Sequence, residues 1–303
     1  MRNFLWVLVL LFGGSLFAEP ETAPAKMSTT EAVVLGLVEG VTEYLPVSST
    51  GHLILASQAM GMGEDPMFRK SVNTYLVVIQ IGAILAVITV YGEYIRMMIL
   101  GLVNRDKEGR KLLIHLIIAF IPAAVMGLLF DKLISGILYG LWFVVCAWLL
   151  GGLALLKWTG EDQLDDPNAV DLKHLTPLKA LVIGCLQVIA MWPGVSRSLV
   201  TIIGGRLVGL SLRHSVIFSF LLGMVTLSAA TAYKLLDSGA QMLESLGITT
   251  ILIGIAVAYL SAWVAVKTMV AYLKKHGLGI FGIYRILLAL VTAFLLVKGV
   301  ITP

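Results

Sequence analysis

The sequence predicts an all-α, polytopic membrane protein. Of its 303 residues, 58% are hydrophobic and only 13% are charged, and the mean hydropathy is +0.94. A soluble domain usually carries about 25% charged residues, so this chain has too little polar surface to cover a water-soluble globule. The excess of 22 basic over 18 acidic side chains is small, and the basic ones lie in short loops, which is typical of membrane topology rather than of nucleic-acid binding. Cys146 and Cys185 lie far apart in apolar stretches, which argues against a disulfide scaffold or a zinc site.

Residues 1–26 have the pattern of a targeting segment. Arg2 precedes an apolar run over residues 4–17, which is short for a membrane span and ends at Ala18 before a polar stretch. This pattern predicts a signal peptide that is cleaved after Ala18. Leu16 is larger than a cleavage site prefers, so an uncleaved anchor is the alternative. In either case, residues 27–303 are predicted to form a single membrane domain.

Six stretches of this domain are long and apolar enough to cross the hydrocarbon, which takes about 20 residues. They cover residues 72–91, 112–130, 133–156, 216–236, 247–270 and 277–300. Two further apolar stretches, about 31–60 and 180–209, are interrupted by helix-breaking inserts at residues 46–52 and 193–198. Irregular backbone that is exposed to lipid leaves costly unpaired amides. We therefore expect each interrupted stretch to be a re-entrant helical hairpin that is surrounded by protein or water.

The two interrupted stretches are related by a shift of 148 residues. This shift places Gly36, Val47, Ser48 and Gly61 on identical residues at positions 184, 195, 196 and 209, and each hairpin is followed by three predicted spans. The chain therefore divides into repeat 1 (about 27–156), a polar linker (157–179) and repeat 2 (about 180–303). The loop after the first span is rich in basic residues and is expected in the cytoplasm. Because three spans separate the hairpins, the sequence predicts an inverted-topology repeat in which the two inserts meet near the middle of the bilayer.

The first hairpin carries two carboxylates inside an apolar stretch, and ionisable groups there mark a site by default. Glu39 and Glu43 are four residues apart, so both lie on one face of a helix. Adjacent carboxylates repel unless a cation or a shared proton relieves them. Mg²⁺ or Ca²⁺ fits the pair, and a proton-sharing pair in a transporter is the alternative. The structural interpretation is a buried carboxylate pair that bonds the backbone at the break.

Hydroxyl groups follow the carboxylates at the point where the helix restarts. Ser48, Ser49 and Thr50 would present hydroxyls and free amides to an anion such as phosphate, although plain N-capping explains the same residues. His52 follows within the same insert. It is interpreted as a general acid or base, or as a partner that orients Ser49, and a purely structural histidine is the alternative.

The second insert contributes Arg197 between Ser196 and Ser198. A buried arginine with flanking hydroxyls binds phosphate bidentately, and an arginine that only pairs with Glu39 or Glu43 is the alternative. The combined set indicates phosphoryl chemistry on a lipid-borne substrate. Two weaker candidates are Gln80, which faces the cavity or bonds a neighbouring helix, and Arg285, which reaches a phosphate or snorkels.

These residues resemble the two signatures of the undecaprenyl-pyrophosphate phosphatase (bacitracin-resistance) family. Residues 39–52 read EGVTEYLPVSSTGH and are similar to the first signature, and residues 193–198 read PGVSRS and are similar to the second. The resemblance covers nearly the whole chain after the leader. It implies an inner-membrane enzyme with a periplasmic site that removes the terminal phosphate of undecaprenyl pyrophosphate and recycles the lipid carrier for cell-wall (peptidoglycan) synthesis.

The resemblance also implies a role for each matching position. Glu39 and Glu43 would bind the divalent cation and support catalysis, and Ser49 would be the nucleophile or a phosphate ligand. His52 would be the acid–base partner and Arg197 the pyrophosphate clamp, and the neighbouring substrate-binding hydroxyls would be those of Ser48, Ser196, Ser198 and Thr201. A water bound to the cation is the alternative to Ser49 as the attacking group. The sequence leaves both a monomer and a homodimer open.

The second signature also departs from the family pattern. Leu199 stands where the family has glycine and falls opposite Gly51 in the internal alignment, and Ile217 stands where the family tends to be acidic. A side chain at position 199 is expected to reshape the phosphate pocket. These departures leave a second function open, a flippase or transporter of a phosphorylated polyprenyl lipid, because broken helices that meet at the midplane are also a transporter feature.

Overall fold

The computed structural model describes residues 27–62, 65–138, 140–158, 170–273 and 275–301. The predicted leader, residues 1–26, and residues 159–169 of the predicted linker lie outside this part of the chain. The described residues form α-helices joined by short turns and contain no β-strand. The prediction of an all-α protein is therefore confirmed.

The helices before the linker are α1 (Thr29–Thr42), α2 (Ser49–Ala59), α3 (Pro66–Val78), α4 (Gln80–Val90), α5 (Gly92–Leu102), α6 (Lys107–Ile137) and α7 (Leu141–Trp158). The helices after it are α8 (Pro177–Gln187), α9 (Arg197–Leu207), α10 (Leu212–Leu246), α11 (Ile248–Leu273) and α12 (Gly279–Val297). Short 3₁₀ turns cover Leu172–His174 and Val188–Met191.

Five helical segments of the described chain are long and apolar enough to cross a membrane. They are Phe68–Val90, Lys107–Phe130, Leu212–Leu246, Ile248–Leu273 and Gly279–Val297. Each overlaps one predicted span, so the prediction of a polytopic membrane protein is confirmed. The span predicted at 133–156 begins later than expected, because α6 continues to Ile137 and α7 starts at Leu141. Its apolar part, Leu141–Lys157, is a shorter helix, and a sixth crossing stays a prediction.

The two interrupted stretches form helix–break–helix units, as the inserts predict. Helix α1 has 14 residues, whereas α2, α8 and α9 have 11 each. At about 1.5 Å per residue, each is too short to cross a hydrocarbon layer of about 30 Å. Local sequence explains where these units begin: Ser28 and Glu31 form a capping box at α1, and Thr176 caps α8 before Pro177.

Each hairpin packs on a long helix from the other side of the linker. Helix α1 lies along α11, and α8 lies along α6. The first contact depends on Gly36, where a Cβ atom would lie 2.7 Å from the carbonyl oxygen of Gly254, and the second on Gly184, where a Cβ atom would overlap the carbonyl of Ala119. Small residues allow helix backbones to approach this closely. The identity of positions 36 and 184 therefore has a shared structural cause.

The identity of positions 61 and 209 also has a structural cause. Gly61 follows α2 with a φ of 71°, and Gly209 follows α9 with a φ of 92°. Glycine adopts this left-handed conformation at a helix end without the steric cost of a Cβ atom. The matching roles support the internal relation between the hairpins. The opposite orientation of the two halves in the membrane stays a prediction.

Candidate active site

The two inserts end in serines that share an uncommon backbone conformation. Ser48 has a φ of 71° and Ser196 a φ of 79°. Each serine caps the helix that follows: Ser48 Oγ accepts from the amide of Gly51 at 3.4 Å, and Ser196 Oγ accepts from the amide of Leu199 at 3.3 Å. Non-glycine residues in such regions store strain of about 1–3 kcal/mol and are found preferentially at functional sites. N-capping is thus the role observed for both hydroxyls, and their contact with substrate stays a prediction.

The inserts contact each other and enclose a cavity. The amide of Gly194 donates to Ser48 Oγ at 3.2 Å, and Ser198 Oγ donates to the carbonyl of Leu45 at 2.9 Å. The cavity between them has an empty volume of about 510 Å³. Its lining residues come from both hairpins, from α4 and from α10: Glu43, Ser48, Ser49, Thr50, Gln80, Ala190, Trp192, Pro193, Gly194, Ser196, Arg197 and Leu227.

Glu43 lies at the junction of the two inserts. Its Oε1 atom accepts from Nη2 of Arg197, and its Oε2 atom accepts from Oγ of Ser49. Glu43 and Ser49 are buried, with relative exposures of 6% and 5%. In a water-poor environment such charge-assisted bonds are short and strong. The structure therefore brings together three predicted site residues, and the ion pair that was one interpretation of Arg197 is present.

Glu39 lies one helical turn before Glu43 and is completely buried. Neither of its carboxylate oxygens accepts a hydrogen bond from a described donor, and the groups that act on it are the carboxyl of Glu43, to which a shared proton would bond it, and the charge of Arg197. Two carboxylates and one guanidinium leave an excess of one negative charge, which is costly to bury without a cation or a proton. The interpretation of Glu39 as a carboxylate bonded to backbone is therefore not supported.

Arg197 is held in place by α10. Its Nη1 atom donates to the carbonyl of Ser219 at 3.4 Å, and its Cζ atom lies 5.9 Å from the ring centroid of Tyr44. Gly223 provides the necessary space, because a Cβ atom there would overlap the guanidinium. The arginine is thus oriented toward the cavity before any ligand arrives.

His52 has partners other than Ser49. Its Nδ1 atom lies 2.6 Å from the carbonyl oxygen of Ser48, and its Nε2 atom lies 2.7 Å from the hydroxyl of Tyr284. A carbonyl only accepts hydrogen bonds, so Nδ1 carries the proton, and Nε2 of the neutral ring accepts from Tyr284. No hydrogen bond joins His52 to Ser49 among the described residues, and an acid–base role for His52 stays a prediction.

Two other predicted ligands, Ser198 and Thr201, are not among the residues that line the described cavity. Besides its bond to Leu45, Ser198 Oγ lies 3.0 Å from Ser196 Oγ, and Thr201 Oγ1 lies 2.6 Å from Ser219 Oγ. Thr201 is completely buried. Both hydroxyls join α9 to its neighbours in this structure, and contact with a substrate stays a prediction for both.

The structure decides the weaker candidates. Gln80 lines the cavity, which supports the first of its two interpretations. Arg285 neither snorkels nor lines the described cavity; it is completely buried and donates to backbone carbonyls. The side chains of Trp148 and Tyr284 bond the first hairpin. Trp148 had no distinguishing signal in the sequence, because aromatic residues are common in spans, whereas Tyr284 lies in a short match to the family beside Arg285 but was given no role at the site.

The departures at positions 199 and 217 lie in the hydrophobic core. Leu199 has a relative exposure of 4%, Ile217 has 5%, and both belong to one apolar cluster. Leu199 is not among the lining residues of the described cavity. At the equivalent position in the first hairpin, a Cβ atom on Gly51 would lie 2.8 Å from the indole of Trp148. The expectation that Leu199 reshapes the pocket is therefore not supported, because Leu199 is buried in the apolar cluster and does not line the described cavity.

Comparisons with known proteins show the family to which the chain belongs. A family described as "Bacitracin resistance protein BacA" matches residues 32–291. An undecaprenyl-diphosphatase of Sorangium cellulosum is 40% identical over 270 residues, which cover 88% of this chain and 85% of that protein. A protein of the same name from Albidiferax ferrireducens is 38% identical over 275 residues, which cover 90% of this chain and 96% of that protein. Another, from Rhodopseudomonas palustris, is 40% identical over 269 residues, which cover 88% of this chain and 97% of that protein. The chain therefore belongs to the BacA family.

Proposed function

We propose that this protein is an undecaprenyl-diphosphatase, which hydrolyses undecaprenyl pyrophosphate to undecaprenyl phosphate and inorganic phosphate. The names of its relatives support this substrate, and they do not favour the flippase alternative. The observation that carries the proposal is the double contact of Glu43, which joins a hydroxyl from one insert to a guanidinium from the other. In this proposal Ser49 is the nucleophile, Glu43 is its base and Arg197 binds phosphate, and all three line one cavity.

The cavity suits a diphosphate that enters from the bilayer. Arg197 would form a bidentate contact with the diphosphate, and the amides at the starts of α2 and α9 would add partial positive charge. The exposed leucine and isoleucine side chains of the long helices are compatible with lipid, so the prenyl chain would remain in hydrocarbon while the headgroup enters the cavity. The basic side chains of residues 92–111 favour the cytoplasm for this segment, and the headgroup site would then face the periplasm of the inner membrane.

Ser49 is the proposed nucleophile and Glu43 its base. Glu43 accepts the proton of Ser49 while Oγ forms a bond to the terminal phosphorus, and the bond from that phosphorus to the bridging oxygen breaks. Undecaprenyl phosphate leaves with the electron pair of that bond. Water then attacks the phosphoserine, inorganic phosphate leaves, and Ser49 regains a proton from Glu43. One water molecule is consumed for each phosphate released.

A divalent cation, Mg²⁺ or Ca²⁺, is part of the proposal. The donor set suits such an ion, because Glu39 has two buried oxygens that accept from no described donor, and an ionised Glu39 beside Glu43 and Arg197 would leave one excess negative charge. Glu39 itself is not among the residues that line the described cavity, so the ion would lie behind the cavity wall that Glu43 forms. The described residues contain no cluster of three or more His, Cys, Asp or Glu side chains, so Glu39 and Glu43 would hold the ion together with water and substrate oxygens. When bound, the ion would neutralise charge on the phosphates.

The test is phosphate release by the purified full-length chain in detergent, with undecaprenyl pyrophosphate as substrate. Wild-type protein should release phosphate, and Glu43→Gln should lower kcat by about 10²–10⁴-fold, the range for loss of a general base. Glu31→Gln is the matched control, because Glu31 is a half-buried glutamate at the start of the same helix, it does not line the described cavity, and glutamine also serves in a capping box. Full activity of Glu43→Gln would overturn the mechanism, and lipid translocation without phosphate release would overturn the function.

A further inference from the structure

The carbonyl groups of residues 45–48, at the break of the first hairpin, accept hydrogen bonds from side chains. Those of Leu45 and Ser48 also accept from the backbone amides of Val47 and His52, whereas those of Pro46 and Val47 have only side-chain donors among the described residues. Buried backbone carbonyls in a membrane need partners, since each unpaired one costs several kcal/mol. In this insert, four consecutive carbonyls accept from four different side chains. The pairs are Leu45 with Ser198 at 2.9 Å, Pro46 with Arg285 at 3.2 Å, Val47 with Trp148 at 3.0 Å and Ser48 with His52 at 2.6 Å.

Arg285 differs from the other three donors because it bonds both inserts. Its Nη1 atom donates to Pro46, and its Nη2 atom donates to the carbonyl of Gly194 at 2.7 Å. Further bonds join Nη2 to Ala147 at 2.8 Å and Nε to Trp148 at 3.4 Å, both on α7. One side chain on α12 therefore connects the first insert, the second insert and α7.

The partners of Arg285 are carbonyls rather than carboxylates. Its relative exposure is 0%, and none of the ion pairs among the described residues involves it. A buried cation without a counter-ion is costly, and it is tolerated only when its donors are satisfied. Arginine has five donors in a planar fork and reaches several acceptors at once, whereas lysine has a single point charge. The residue type therefore matches a bridging function.

Glycines on α7 allow the bridge to form. A Cβ atom on Gly151 would overlap the guanidinium of Arg285, and one on Gly152 would lie 2.9 Å from the carbonyl oxygen of Gly282 on α12. Gly194 extends the connection toward the cavity, because its carbonyl accepts from Arg285 while its amide donates to Ser48 Oγ. Ser48 directly precedes Ser49, so the bridge ends beside the proposed nucleophile.

We propose that Arg285 is a positioning residue that sets the spacing of the two inserts, so that Ser49 and Arg197 reach Glu43 from opposite sides. This inference rests on the proposed function of the same cavity. Arg285 acts through the backbone of Pro46 and Gly194 and does not bind the phosphates. Without Arg285, every reacting group would still be present but would be misaligned. A misplacement of about 1 Å is enough to slow an enzyme by about 10²-fold.

The test compares Arg285→Lys and Gly151→Ala with two matched controls in the full-length protein. Arg206→Lys is the first control, since Arg206 donates to the carbonyl of Leu210 near its own helix end. Gly239→Ala is the second, because a Cβ atom there would have its nearest neighbour at 3.4 Å. Phosphate release gives kcat and KM, and hydrogen–deuterium exchange reports the backbone amides of residues 45–52 and 194–199. Size-exclusion chromatography confirms that each variant is folded.

Both test variants should lower kcat by about 10²-fold and leave KM within about twofold. Their inserts should exchange faster, and the double variant should lose no more than the worse single variant, because both remove one contact. Both controls should behave as wild type. A raised KM with unchanged kcat would mean that Arg285 binds phosphate, and unchanged kcat in folded Gly151→Ala would mean that the bridge is irrelevant to the reaction. Either result overturns the proposal.

The exchange measurement separates this inference from the proposed function. If wild-type protein released no phosphate, the proposed function would fail, yet exchange in the inserts would still decide whether Arg285 holds them. Unchanged exchange in Arg285→Lys would then refute the positioning of the inserts by Arg285, and faster exchange confined to both inserts would support it.

Discussion

Arg197 and Glu43 join the two inserts through an ion pair of 2.5 Å, from Nη2 to Oε1. The other oxygen of Glu43 accepts from Ser49, and positions 49 and 197 differ by the same 148 residues that relate the hairpins. Equivalent positions thus reach one carboxylate from its two sides. One position carries a hydroxyl and the other a guanidinium, so the contacts of Glu43 are asymmetric although the two positions match in the predicted repeat.

Gly223→Ala should impair the enzyme although it changes no charged residue. A Cβ atom at position 223 would overlap the guanidinium of Arg197, which would have to leave its place beside Glu43. We expect kcat/KM to fall by about 10²-fold in the phosphate-release assay. Gly239→Ala, on the same helix but with space for a methyl group, is the control. Equal activity of the two variants would show that the observed position of Arg197 is unimportant.

Ser49→Ala should abolish phosphate release and the covalent intermediate. Removal of the nucleophile is expected to lower kcat by about 10³-fold or more. Substrate labelled in the terminal phosphate should label wild-type protein after rapid acid quenching and should not label Ser49→Ala. Ser57→Ala is the matched control on α2, because Ser57 Oγ only donates to the carbonyl of Ile54 at 3.1 Å. Substantial turnover by Ser49→Ala would instead favour a water nucleophile.

His52→Asn tests whether His52 supports the insert or transfers protons. The amide nitrogen of asparagine can replace Nδ1 as the donor to Ser48, whereas asparagine does not titrate. If the observed contacts describe the role of His52, the variant should keep at least about a tenth of the wild-type kcat, because a general acid or base would be worth about 10²–10⁴-fold. The measurement is kcat against pH. Loss of one limb of the profile in His52→Asn would establish proton transfer by the histidine.

Glu39→Gln should remove the response to divalent cations. The side chain keeps its shape but loses the carboxylate, whose oxygens accept from no donor in the described structure. Mg²⁺ or Ca²⁺ should raise the thermal unfolding temperature of wild-type protein, since a ligand that binds only the folded state stabilises it. It should have little effect on Glu39→Gln, and Glu31→Gln should respond as wild type does. An equal shift in Glu39→Gln would argue against an ion at this carboxylate, whatever the variant's activity.

Most of the fold could be predicted from local sequence, and the errors in that prediction have local causes. Apolar runs predicted the long helices, since burial in hydrocarbon depends on length and composition. The span predicted at 133–156 started too early. Helix α6 continues to Ile137 and α7 begins only at Leu141, and no proline separates the two helices in the sequence. The glycine identities at 36 and 61 were visible in the sequence, but their causes, a helix contact and a left-handed turn, require the structure.

The sequence by itself determined the class of protein, the two broken hairpins, the family, and the residue types of the site. These follow from hydropathy and from motifs within a few residues of each other. Only the tertiary structure decided that Ser49 bonds Glu43 while His52 bonds Tyr284, and that Arg285 bridges the inserts. Each donor has several acceptors within reach of a flexible chain. Its partner is selected only when segments up to 239 positions apart pack together and exclude water.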